Sequence, residues 1–187
     1  MHAFDYLMVL AAVIVGLALT HVLVGVTRMV EGPPPRGLFW VHLVWLAGVF
    51  LTVLLWWWAE FDLSGAGAWT FAMYLFVVAY AVLLFLMSAA LVPSTGVVDY
   101  RSFFDARKTW FLSLIVAYAV IDFVDSALRG SGHLRDLGWP YMLSEGACIV
   151  LPIVAMFLRS TTFQGLIAIA FLADQFYLGF RSFAIIQ

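Results

Sequence analysis

The chain has 187 residues, 65% of them hydrophobic and 11% charged, with a formal net charge of −2 and a mean hydropathy of +1.06. An ordinary soluble domain is about 45–50% apolar and about 25% charged, so this composition excludes a soluble enzyme, a disordered chain and a nucleic-acid binder. A membrane span takes about 20 apolar residues, so six spans use about 120 and leave no room for a separate soluble domain.

Span 1 is expected over 4–30. It lacks a basic start and is too long for a cleavable signal, so it is expected to remain in the chain. The stretch EGPPPRG at 31–37 ends it, because three prolines cannot continue a helix. Within it Ala11, Ala18 and Gly25 recur every seven residues, followed by Gly32. Ile14, His21 and Arg28 each lie three positions after one of the first three. All share one helical stripe. Small residues let another helix approach closely, so the stripe is expected to be a packing face and a candidate seam between copies.

Span 2 is expected over 38–59, with His42 near its start and Trp56, Trp57 and Trp58 at its end. Residues 60–67 (EFDLSGAG) read as a short turn. Span 3 covers 69–91 and stops before Pro93. Residues 94–108 read as the longest and most charged loop. Span 4 covers 109–128 and carries Tyr118, Asp122, Asp125, Ser126 and Arg129 on one face, with Asp125 and Arg129 spaced for an ion pair. A loop is expected from Gly130. Span 5 covers 139–158, where Glu145, Cys148, Pro152 and Arg159 share a face. Span 6 covers 163–183, with Asp174 near its centre and Tyr177 and Arg181 on the same face. Most tryptophans lie near span ends, as the aromatic belts of a membrane protein do, and Trp45 alone sits deeper.

The expected fold is therefore all-α: a polytopic integral membrane protein, one transmembrane domain of six helices over 1–187. Arg28, Arg36, Arg101, Arg107, Lys108 and Arg159 fall on one side, and Arg129, Arg135 and Arg181 on the other. The richer side is expected to be cytoplasmic, which places both termini outside the plasma (inner) membrane. His21 and Arg28 in span 1, and Asp122 and Arg129 in span 4, are each seven apart, a faint hint of an inverted repeat.

An ionisable residue at the bilayer centre costs about 2.5–3.5 kcal/mol on insertion scales, so each is expected to face protein or water. Asp122, Glu145 and Asp174 lie on three different spans. With Arg129 or Arg181 beside them, and with His21 and Arg28 on the cytoplasmic half, they are expected to line a path for protons or cations. The opposing reading makes them acid–arginine pairs that hold the bundle together. The leading expectation is a small channel or transporter, surrounded by lipid and assembled as a homo-oligomer, with no metal and no cofactor.

A second reading is a cofactor-carrying or accessory subunit of a larger membrane complex. In it His21 and His42 hold a haem, or the chain's 17% aromatic residues surround a pigment. A third is a membrane-embedded enzyme acting on lipid. Asp122-Phe123-Val124-Asp125 followed by Arg129 is similar to the start of the metal site in CDP-alcohol phosphatidyltransferases, which would imply a six-span lipid enzyme. That pattern needs a glycine where Ser126 stands, and two later aspartates where Met142 and Gly146 stand, so it is not met. No HExxH, CxxC, P-loop, GxGxxG or TVGYG element occurs. The single cysteine, Cys148, has no internal disulfide partner.

Overall fold

Apolar runs punctuated by proline, glycine and charge become six helices. In a computed structural model these are α1 (Ala3–Glu31), α2 (Trp40–Ala59), α3 (Phe71–Leu91), α4 (Tyr100–Leu128), α5 (Ser131–Phe157) and α6 (Thr161–Phe183). The structure describes residues 3–31, 39–60, 70–93, 99–129 and 131–183. The proline-rich stretch, nearly all of the 60–67 turn and residues 94–98 lie outside the described residues. All six helices are long and apolar enough to cross a membrane, since about 20 residues at 1.5 Å each match a hydrocarbon core about 30 Å thick. The protein is a six-helix membrane bundle.

Two boundaries differ from the sequence expectation. Most of the expected loop 94–108 is helix, because α4 starts at Tyr100, nine residues early. Asp99 caps it by accepting from Arg101 N at 3.0 Å and from the Ser102 hydroxyl at 2.6 Å. The Ser102 bond holds the Asp99 carboxyl below its ordinary value. Tyr100 and Phe104, four apart, are buried on the inner face of this extension. The loop expected before span 5 is also largely helical. α5 starts at Ser131 and bends at Gly138, whose φ of 72° and ψ of −173° interrupt the helix. Pro140 falls in the first turn after this bend, where a missing N–H costs nothing.

α2 is the hub and packs on α1, α3, α4 and α6. α1 lies chiefly on α3, whereas α4 lies chiefly on α5, so the two halves do not repeat one packing plan. The small-residue stripe of α1 is spent inside the chain. Ala11 and Ala18 are fully buried, and a Cβ added at Gly25 would lie 2.7 Å from Val92 Cγ2. α6 approaches α2 through Gly165, where a Cβ would overlap the Trp40 ring, and Gly48 faces Phe171. The Thr52 hydroxyl lies 3.1 Å from Gln175 Oε1, a polar link between α2 and α6.

Helix ends need partners for their last carbonyls. At the end of α5, Lys108 Nζ donates to Leu158 O at 2.9 Å, and Gln164 Nε2 donates to Ala155 O at 2.7 Å. Arg28 Nη1 donates to Pro93 O at 3.3 Å beyond α3. The outward faces carry Val13, Leu17, Phe71, Leu143, Phe157 and Phe180, all exposed. Such an apolar surface suits lipid.

Candidate functional site

Polar groups converge where the C-terminal part of α4 meets α3, α5 and the end of α2. The Tyr80 hydroxyl of α3 donates to Asp122 Oδ1 at 2.7 Å. The Tyr141 hydroxyl of α5 donates to Asp122 Oδ2 at 2.9 Å and lies 2.9 Å from Ser126 Oγ. Tyr80, Ser126 and Tyr141 are buried. One turn further along α4, Arg129 Nε donates to Asp125 Oδ2 at 2.7 Å, and Arg129 Nη2 lies 3.6 Å from Glu60 Oε1. Glu60 caps the end of α2 and is 1% exposed. Burial, with Asp125 nearby and Arg129 only partly offsetting it, pushes the Glu60 carboxyl up to about 8.

Asp125 and Arg129 thus form the ion pair that their spacing predicts, and Glu60 lies beside Arg129. Asp122 differs, since both its oxygens accept from tyrosines. Glu145 differs further. It is buried, and its Oε2 has no hydrogen-bond partner. Asp122 and Asp174 both lie within electrostatic range of it. Tyr118, buried on α4, sits among Asp122, Glu145, Cys148 and Asp174. Its ring centroid is 6.0 Å from that of Tyr80 and 6.4 Å from that of Phe171. Asp122, Glu145 and Asp174 thus all lie within electrostatic range of Tyr118. Asp174, which the sequence made the costliest group, is half-buried, whereas Glu145 is buried.

Asp174 borders a cavity of about 150 Å³ between α2, α4, α5 and α6. Trp45, Ile115, Leu151, Ile167 and Phe171 form its apolar walls, and Ser144, Cys148 and Asp174 its polar part. α5 and α6 pack loosely on each other, which leaves this space. Ser144 Oγ faces Asp174 and Cys148 but has no partner at hydrogen-bonding geometry. Trp45 is fully buried and packs edge-on against Phe111 and tilted against Phe171, at 5.0 and 5.3 Å between centroids. Of these rings, Trp45 and Phe171 line the cavity.

His21, Arg28 and His42 are not brought into this cluster. His21 packs on Phe85 at 6.0 Å, and Arg28 holds the end of α3. His42 is 1% exposed, ringed by Tyr100, Phe103 and Phe104 at 5.6 to 6.1 Å, with neither ring nitrogen hydrogen-bonded. His21 and His42 thus have separate aromatic surroundings. The side chain of Arg181 lies outside the described residues. Among the described residues no three His, Cys, Asp or Glu side chains are grouped as metal ligands would be.

With the geometry in hand, the class of the molecule is an integral membrane bundle with a carboxylate cluster beside an internal cavity. No family model, no curated protein and no solved structure matches the chain.

Proposed function

We propose that the protein is a small transporter that moves protons or cations by way of Asp122, Glu145 and Asp174. The observation that carries this reading is the buried Glu145 carboxyl, whose Oε2 has no hydrogen-bond partner and which has two further acids within electrostatic range. A group held only for stability would be paired, since an unsatisfied buried acid is costly. Chains of Asp and Glu inside a membrane are the usual material of proton relays. Tyr80, Tyr118 and Tyr141 supply hydroxyls around the acids, and Ser144 and Asp174 carry the polar line to the cavity.

Trp45 and Phe171 wall the cavity and Phe111 packs on Trp45, which supports a transporter over an open channel. All three acids come from one chain, so a second copy is not needed to complete the site. We place the Lys/Arg-rich ends, including Arg101, Arg107 and Lys108, in the cytoplasm of a cell whose inner membrane holds the protein. The acid cluster then opens toward the outer half. The haem reading gains less support, because His42 is enclosed by aromatic rings on α4.

The test is proton flux into liposomes under a pH gradient, with the parent protein and Asp174→Asn compared at equal loading. Flux is expected for the parent and a severalfold lower rate for the variant. Equal rates remove Asp174 from the path.

A further inference from the structure

The cavity beside Asp174 has a size, a wall and a charge that together define a ligand. A cavity of about 150 Å³ lined by Leu, Ile and Phe is large enough to hold benzene, and this one has the same volume. Trp45 and Phe171 present two tilted rings 5.3 Å apart at its wall. Ring faces attract cations as well as apolar groups. The polar part is one-signed. Asp174 and Ser144 line it, and Glu145 lies within electrostatic range. Arg129 is engaged by Asp125 and Glu60 at the outer end. An anion would meet like charge here. A hydrocarbon would leave Ser144 and Asp174 unused. Ala170 at the rim is exposed, so the cavity is not sealed.

We propose that this cavity binds a small lipophilic organic cation, with a ring-sized apolar body against Trp45 and Phe171 and an ammonium group on Asp174 and Ser144. The inference rests on the reading of the acid cluster as a cation site and names the class of molecule that site would take.

The experiment is calorimetric titration of the purified, detergent-solubilised protein with benzylammonium, toluene and benzoate. Benzylammonium is expected to bind saturably, about tenfold or more tighter than toluene, and benzoate not to bind. Asp174→Asn is expected to bring benzylammonium down to the affinity of toluene while leaving toluene unchanged. Ala147→Leu, which fills the cavity from α5, is expected to abolish both. Because the comparison among the three probes uses the parent protein, it stands even where a variant fails to fold. Equal binding of toluene and benzylammonium, binding of benzoate, or no saturable benzylammonium binding overturns the proposal. Asp174-dependent proton flux without benzylammonium binding would overturn this inference and leave the transport reading standing. Selective binding without any flux would do the reverse.

Discussion

Tyr141 of α5 and Asp122 of α4 are joined by a 2.9 Å hydrogen bond, and Tyr80 of α3 holds the other carboxylate oxygen at 2.7 Å. One carboxylate thereby ties three helices together. A hydrogen bond to a charged group contributes about 1.5–3 kcal/mol. Tyr80→Phe and Tyr141→Phe are each expected to lower unfolding stability in lipid–detergent mixtures by that amount, because the ring stays and only the donor is lost. Changes below about 0.5 kcal/mol in both would mean that water replaces the tyrosines.

Glu60 gives stability a definite pH dependence. Its carboxyl is pushed from 4.5 up to about 8 in the folded protein. An acid with a raised folded value binds more protons folded than unfolded, so stability is full below about pH 4.5 and falls as pH rises to about 8. The slope contributed by this one group is at most about 1.4 kcal/mol per pH unit. Melting of the parent and Glu60→Gln, compared at pH 5, 6.5 and 8, should show the parent losing stability relative to the variant across the series. Parallel profiles would show that Glu60 is charged throughout.

Gly138 supplies a bend that other residues resist. At φ 72° and ψ −173° a side chain costs about 1–3 kcal/mol. Gly138→Ala is expected to destabilise by that amount. Gly146→Ala, at an exposed helical site with open space for a Cβ, is expected to be neutral or to stabilise by about 0.5–1 kcal/mol. Chemical or thermal unfolding of the pair measures the contrast, and equal effects would place the bend elsewhere.

Gly25 sets the distance between α1 and the end of α3. Gly25→Leu drives new atoms into Val92 and is expected to cost about 1–3 kcal/mol by overpacking. The same change at Gly16, where a Cβ meets nothing within 4 Å, should cost much less. If Gly25→Leu instead altered only the oligomeric state, seen by light scattering, the α1 stripe would face a second copy.

Hydropathy made the six helices legible, because lipid demands long apolar runs whatever the packing. The start of α4 was hidden for the same reason: Arg101, Arg107 and Lys108 lower the local hydropathy although Asp99 caps the helix there. In the site, the acids were legible because charge in an apolar run is conspicuous. Tyr80 was not, since a tyrosine among valines and leucines reads as filler and its partner is 42 positions away. Tyr141 read as an interfacial anchor and Glu60 as a turn residue, and only the packing of α4 against α2 and α5 shows otherwise. Thr52 and Gln175 left no signal beyond their polarity. The stripe on α1 announced a partner helix correctly, but a stripe does not say whether that helix belongs to the same chain.

The central claim is that the carboxylates of α4, α5 and α6 act together on protons or cations. Among these three acids, Glu145 is the buried one whose Oε2 lacks a partner. Glu145→Gln keeps the shape and removes the charge. Reconstituted into liposomes under a pH gradient, the parent is expected to carry protons, and the variant to lose most of that flux while keeping its fold by circular dichroism. A folded Glu145→Gln protein that carries protons as fast as the parent would contradict the account.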